Sequence, residues 1–517
     1  MSNVAANIRK KLEDMEARAL GGDPRQVEKQ HQEGKWTARE RIAKLMDSGT
    51  FVEEFMLAET QCSDFGMAQK REPSDGVVIG YGKIGGRNAY VFAQDRTVLA
   101  GTVGSAHGEK ISYAVETARK LGIPSIGLYE SLGARVQEGL DATAVIGKMF
   151  YQNSITSGVV PQISAIMGPC IGVATYGPAL TDFIFMVKGT SQMFITGPPV
   201  IKAVTGEDVT MEQLGGWKVH SEVSGVADVV CESDEDCLRQ IRKLLSFLPL
   251  NCEEPPPRLS TNDSPGRLLD NLDGIVPADS KKLYDMKRVI RLIVDEGDFF
   301  EVKARFARNM VVGFGRLDGH TAGFVANQPM FLGGSLDVDC SDKASRFVRF
   351  CDAFNIPIVT LVDMPGYLPG TKQEQRGIIR HGAKMLYAYA EATVPKFTIY
   401  VRKGYGGAKQ AMCTREMGAD QVFVWPGVEL AVMGAAGAVS FLYRQEIEKA
   451  ADPEKVRRER IAEYTERFSG PFQALFKQFA QAAIQPQETR LRLIQALETF
   501  RNKKEDRPRR KHGVMPV

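Results

Sequence analysis

Five glycine-containing turns hold the residues best suited to chemistry in this chain. They are Glu130-Ser131-Leu132-Gly133-Ala134-Arg135, Gly168-Pro169-Cys170-Ile171-Gly172-Val173-Ala174, Asp363-Met364-Pro365-Gly366-Tyr367, Gly404-Tyr405-Gly406-Gly407-Ala408 and Met433-Gly434-Ala435-Ala436-Gly437-Ala438. Small residues let a substrate carbonyl come close to backbone N–H groups. Two such donors aimed at one oxygen form an oxyanion hole, and losing one costs about 3 kcal/mol of transition-state stabilisation. A single turn of this kind is most simply a tight turn or a close helix contact. Acid–base groups are scarce by comparison: there are six histidines, no G-x-S-x-G nucleophile elbow, no G-x-x-x-x-G-K-[ST] phosphate loop and no dinucleotide fingerprint in context. His107, His220 and His381 lack evident nucleophile and carboxylate partners, so packing or surface roles are expected of them. Many amides and few acids or bases suit a reaction whose base comes from substrate or cofactor, such as forming an enolate from a thioester.

The elements that position these turns occur twice. Ala326 follows Ala93 by 233 residues, as Lys343 follows Lys110, Pro357 follows Pro124 and Asp363 follows Glu130. After one inserted residue, Pro395 follows Pro161 and Gly406 follows Gly172 by 234. A period this long marks a duplicated domain rather than a solenoid. Turns paired at matching positions in both copies favour the oxyanion reading over the plain tight turn. Each copy also opens with an echo, Leu45-Met46-Asp47-Ser48-Gly49 and Ile293-Val294-Asp295-Glu296-Gly297, read as a helix ending at an Asp-x-Gly turn.

Inside each copy, short apolar runs alternate with helical stretches. Strands are expected at 89–93, 125–128 and 163–167, then at 322–326, 358–362 and 397–401, with helices at 109–121 and 343–354. That alternation predicts an α/β class with buried strands. The expected division is 1–255 for the first domain, 256–280 for a linker opened by Pro255-Pro256-Pro257, and 281–517 for the second. Residues 446–470 and 486–503 read as charged helices on the outside.

Bulk properties limit the functional classes. The 517 residues are 43% hydrophobic and 25% charged with net charge +3, which gives no general case for nucleic acid or membrane binding. The basic end, Arg501 to Lys511, reads as a solvated tail. Eight cysteines show no paired metal-ligand spacing, which suits reduced thiols in the cytoplasm and no metal site. Met1 to Lys11 is polar and no apolar run of about 20 residues occurs, so neither a leader nor direct membrane insertion is expected.

Longer stretches then identify a family. Gly34 to Arg41, Thr190 to Glu207, Leu214-Gly215-Gly216, Arg346 to Thr371, Ile378 to Lys396, Gly418 to Ala438 and Lys511-His512-Gly513 resemble the biotin-dependent carboxyltransferase subunits of the propionyl-CoA carboxylase β type, including the methylmalonyl-CoA decarboxylase α type. The resemblance covers essentially the whole chain. It implies two tandem crotonase-like β-β-α superhelix domains in a homo-oligomer, trimer or hexamer, with acyl-CoA on the N-terminal side and carboxybiotin on the C-terminal side. The implied reaction moves CO2 between biotin and the α-carbon of a short or branched acyl-CoA through enolates held by backbone amides. Carried over by position, Gly133, Ala134, Gly172 and Val173 are the thioester-side candidates, and Gly406, Gly407, Gly434 and Ala435 the biotin-side ones. Gly366, Tyr367, Gly404, Tyr405 and Ala438 are read as cofactor contacts, and the family pattern implies that the turn from Tyr405 to Lys409 and the segment from Asp420 to Gly427 shape the acyl pocket.

No Ala-Met-Lys-Met biotin site is present, so biotin must arrive on another polypeptide: a biotin carboxylase or carrier subunit, or membrane decarboxylase subunits. The family usually has Asp-Ser-Gly-Gly-Ala-Arg where this chain has Glu130 to Arg135, and Gly-Gly-Ala where it has Gly172-Val173-Ala174. Both changes add bulk, and Leu132 would be strained if its position required positive φ. The alternatives are a decarboxylase subunit running the reverse direction, a divergent acyl-CoA enzyme without biotin, and an inactive structural subunit.

Overall fold

Two hairpin turns explain the opening echo. The computed structural model describes residues 2–270, 272–279 and 282–517. Strand β2 (Val77–Ile84) returns as β3 (Arg87–Gln94) through Gly85-Gly86, both at positive φ, and the Asp47 carboxylate accepts both of their N–H groups at 3.1 and 2.8 Å. In the second copy β10 (Met310–Leu317) returns as β11 (His320–Asn327) through Asp318-Gly319, and Asp295 accepts that pair at 3.0 and 2.7 Å. Two-residue turns with positive φ match the twist of the flanking strands. The echo therefore places a carboxylate that locks each hairpin.

The chain divides into two units, Met1–Glu254 and Pro255–Val517. The first has an eight-stranded sheet in the order β1 (Val52–Glu54), β2, β3, β4 (Ser125–Ser131), β5 (Gln162–Ile171), β6 (Phe183–Val187) and β8 (Val229–Cys231), with β7 (Gln192–Phe194) on the end of β5. Strands β1 to β3 are antiparallel, and β3 onward are parallel. Helices Ser105–Leu121 and Gly139–Thr156 make the crossovers around β4. The second unit repeats this with β9 (Phe300–Val302), β10, β11, β12 (Ile358–Met364), β13 (Lys396–Tyr405), β14 (Gln421–Val424) and β16 (Ala482–Ala483), and β15 (Glu429–Ala431) on β13. Its crossover helices are Val338–Ala353 and Ile378–Glu391. Every residue of β4 and β12 is buried, which requires cover on both sheet faces. The expected strands all fall inside these elements, and the class is α/β.

Two segments behave differently from their sequence reading. The stretch 256–280, where described, lies along the second unit: Leu259 N–H donates to Gly319 O at 3.0 Å, and Leu269 and Leu272 are buried in that unit's core. The helix Thr489–Phe500 is not an outer charged helix, because Leu493 and Leu497 face the same core and fully buried Arg490 pairs with Asp295 at 2.7 Å. Arg492 and Glu498 are exposed while Arg490 is buried alongside the leucines, so composition alone hid the apolar face.

Candidate functional site

The turns gather at the C-terminal ends of the parallel strands. In the first unit a Cβ on Gly133, after β4, would lie 2.7 Å from Ile171 O at the end of β5, so the two turns touch. Gly133 and Gly172 have φ of +94° and +72°, and the matching Gly366 and Gly406 have +140° and +62°. In all four, glycine takes the backbone conformation that side chains resist, and the next residue presents its N–H. Among the described residues, none accepts a hydrogen bond from the N–H of Ala134, Val173, Tyr367 or Gly407. By contrast, Gly133 N–H donates to Ser131 Oγ at 3.1 Å and Gly406 N–H to Ala431 O at 3.0 Å. Gly133 and Gly406 thus shape their turns with their own N–H groups engaged, and Ala134 and Gly407 carry the open donors. Leu132 stays outside the left-handed region, so it is unstrained.

Gly434 plays a different part. It caps the helix Ala435–Leu442 with extended backbone (φ −57°, ψ 144°), leaving the Ala435 N–H open among the described residues. In the first unit the equivalent cap is Gly197, three residues past Phe194, which pairs with Ile171 as Ala431 pairs with Tyr405. There the helix begins with Pro198-Pro199, which have no N–H. The second unit therefore has a donor that the first lacks, a difference legible in the sequence once the copies are aligned but missed above. Tyr405 backs this corner: its hydroxyl donates to the Glu429 carboxylate, and its ring would stand 3.2 Å from a Cβ on Gly434. Gly404 and Ala438 are packing positions. A Cβ on Gly404 would meet Leu430 and Tyr400 at 2.8 Å, and Ala438 is buried inside its helix. The Tyr367 ring lies against Gly382 of the helix Ile378–Glu391. Asp420 sits at the start of β14, the opposite end from the turns, where it pairs with Lys503 at 2.9 Å.

Buried ions support both turns. Fully buried Glu130 accepts from Lys35 at 2.6 Å, Arg41 at 2.7 Å and Gln30 at 2.7 Å, and Arg41 also holds Asp234 at 2.8 Å. Burial works to raise the Glu130 carboxyl, but Arg41 and Lys35 outweigh it and hold it below the ordinary value. Its counterpart Asp363 pairs with Arg402 at 3.0 Å. The N–H of Glu130 is received by Gln94 at 3.2 Å, and that of Asp363 by Asn327 at 3.2 Å. Lys110 donates to Val77 O, and Lys343 to Met310 O, one repeat apart; burial pushes these ammonium groups down to about 8 and about 7. Sequence reasoning found Glu130, Asp363, Lys110 and Lys343 as repeat positions but missed their pairing and support of the turns, although Lys35 and Arg41 stand in one of the quoted motifs.

The histidines take supporting places. His107 is fully buried between Asp75 O and Gln94, and burial pushes it down to about 3, so it is neutral. His220 contacts Met193 O and Ser224, and His381 contacts Asp342. Arg135, just after Ala134, is held by Asp75 at 2.7 Å and Glu138 at 2.8 Å, which fixes the turn from its far side. The open donors at the turns are main-chain amides, suited to holding negative charge on a substrate oxygen.

Comparison with known proteins shows the family. Residues 29–515 match the carboxyl transferase domain family. The chain is 50% identical to the methylmalonyl-CoA decarboxylase subunit alpha of Veillonella parvula over the full length of both. It is 49% identical to the mitochondrial propionyl-CoA carboxylase beta chain of Homo sapiens, covering 100% of this chain and 95% of that one. Among solved structures, transcarboxylase 12S, a hexamer bound to methylmalonyl-coenzyme A and methylmalonic acid, has a TM-score of 0.95 at 48% identity and covers 98% of both chains.

Proposed function

This chain belongs to the carboxyl transferase family, and from that premise we propose that it moves a carboxyl group between biotin on a separate carrier polypeptide and the α-carbon of a short acyl-CoA. The observation that carries this reading is the repeated pair of left-handed glycine and open N–H at matching turns of both units. In the first unit, the Ala134 and Val173 N–H groups would hold the thioester oxygen while charge develops on it. That charge appears when the α-carbon loses a proton or a carboxyl group, so one donor pair serves both directions. Each donor would supply about 3 kcal/mol in a site that excludes water. A propionyl-CoA carboxylase and a methylmalonyl-CoA decarboxylase among the relatives favour a three-carbon acyl group.

The second unit fits the ureido ring of biotin. Gly407 and Ala435 offer donors to a carbonyl acceptor, and a Cβ on Gly407 would meet nothing within 4 Å, which leaves room beside it. When bound, biotin supplies the carboxyl carrier and a ring nitrogen that exchanges a proton. The Tyr405–Glu429 contact keeps the Tyr405 hydroxyl protonated and its ring under Gly434, holding the Ala435 N–H in place. Assembly into a trimer or hexamer is part of the proposal. Val136, Leu140 and Phe441 are each at least 80% exposed, and apolar side chains left that open favour burial against another copy.

The test is direct. Purified chain with methylmalonyl-CoA and free biotin should form propionyl-CoA and carboxybiotin, the carboxyl group leaving the α-carbon for the biotin ring nitrogen. Folded, assembled protein that forms no propionyl-CoA in a biotin-dependent manner would refute the reading.

A further inference from the structure

The duplication supplies its own comparison for the first unit's turns. Val173 stands where the second unit has Gly407, and Leu132 where it has Pro365. Beside Gly407 the space is open, since a Cβ there would meet nothing within 4 Å. In the first unit Val173 carries a side chain at the matching position; it is half-buried and packs, as Ala134 and Phe150 do, against the apolar core. Its side chain is therefore wedged and cannot swing clear without giving up those contacts. Leu132 is 42% exposed on the adjoining turn, next to Gly133, which lies against Ile171 O. Ile195, whose carbonyl lies 3.9 Å from the Cβ position of Gly172, adds a further exposed apolar side chain beside the second turn.

A thioester oxygen held by the Ala134 and Val173 N–H groups must bring its acyl carbons next to these side chains. We propose that Leu132 and Val173 limit the length of the acyl group, so that this site accepts two- or three-carbon acyl-CoA and rejects longer chains. The physical reason is volume. A filled apolar wall distinguishes substrates by methylene groups, each worth roughly 10- to 200-fold in selectivity. This inference deepens the carboxyltransferase reading and rests on it.

The experiment uses the full chain with Val173→Gly, Val173→Ala and Leu132→Ala. Two measurements are made: kcat/KM for carboxyl transfer from supplied carboxybiotin to acetyl-, propionyl-, butyryl- and hexanoyl-CoA, and affinity for unreactive S-propyl- and S-hexyl-CoA thioethers. The expected result for Val173→Gly is a rise of about tenfold or more in the hexyl-to-propyl ratio, with Val173→Ala and Leu132→Ala shifting it in the same direction by less. Ratios within about twofold of the unsubstituted chain in every folded variant would overturn the proposal. Should Val173→Gly fail to fold, the two alanine variants carry the same comparison. A chain that turns over no thioester with biotin would refute the carboxyltransferase reading, while the thioether affinities would still decide the size limit.

Discussion

Gly406→Ala and Gly407→Ala add one methyl group at neighbouring positions of the same turn, yet they should differ in sign. Gly406 has φ +62°, where an L-residue costs about 1–2 kcal/mol, and its new Cβ would stand 3.3 Å from Val432 O. Gly407 has φ −66° and ψ −21°, an ordinary right-handed conformation with open space around the Cβ position. Alanine there restricts the unfolded chain and should stabilise by about 0.4–1 kcal/mol. The two variants should therefore differ by about 1.5–3 kcal/mol. At roughly 2–4 °C per kcal/mol for a unit of this size, their melting temperatures should separate by roughly 3–12 °C in calorimetry of the full chain. Gly406→Ala should also shift the Gly407 N–H and raise the KM for free biotin more than that for acyl-CoA. Melting within about 1 °C of each other, or the reverse order, would refute the claim that the first glycine sets the turn and the second only presents a donor.

Glu130→Gln should cost about 3–5 kcal/mol, because it leaves the buried cations Lys35 and Arg41 with Glu33 and Asp234 as their remaining acidic partners. Urea unfolding checks it, and a loss below about 1 kcal/mol would mean that the ion cluster relaxes freely. Acid should also weaken the first unit. The buried His107 is held near 3 against an ordinary 6.5, so its contribution is present above pH 6.5 and lost as pH falls toward 3. Glu130, held below its ordinary 4.5, acts in the same direction below that pH. Asp75, raised to about 6 by burial, opposes them, since its contribution fades as pH rises from 3.8 through 6. His107→Gln should therefore flatten the decline of the urea midpoint from pH 6.5 down to 4, and an unchanged slope would show that His107 carries none of it.

How far the sequence reaches depends on the distance between the residues that cooperate. The strands, crossover helices and turn glycines were legible because each is encoded locally, by apolar runs, short periodicities and small residues. The repeat was legible because both copies keep those local signals at a fixed offset. The support beneath the turns was not. Glu130 meets Lys35 and Arg41 from about 90 residues earlier in the chain, and nothing near Glu130 marks them as partners. The stretch at 256–280 was misleading for a related reason. Three prolines suit a spacer, whereas its contacts come from Leu259, Leu269 and Leu272, whose apolar spacing is too sparse to read as an element. Local sequence also could not show that the N–H groups of Gly133 and Gly406 are already bonded, to Ser131 Oγ and Ala431 O, because Ala431 lies 25 residues beyond Gly406.

If main-chain atoms are the working groups, as proposed, the two copies are free to diverge in their side chains. An amide donor survives almost any substitution of its own side chain, so Val173 and Gly407 can face different ligands while offering the same N–H. The exception is proline, and it occurs where the donor sets part: Pro198 stands at the position of Ala435 and removes one donor from the first unit. The buried supports vary within the same limits. Gln94 with Glu130 and Asn327 with Asp363 make the same backbone contact, each member of the first pair being one methylene longer than its counterpart. Position is maintained by backbone geometry, and the side chains remain available to set what fits. If that division holds, exchanging the side chains at 173 and 407 should move acyl selectivity and leave both donor sets in place. Replacing Ala435 by proline should instead remove one donor, and with it a factor of about 100 or more in the biotin-side step, without altering which acyl-CoA is chosen.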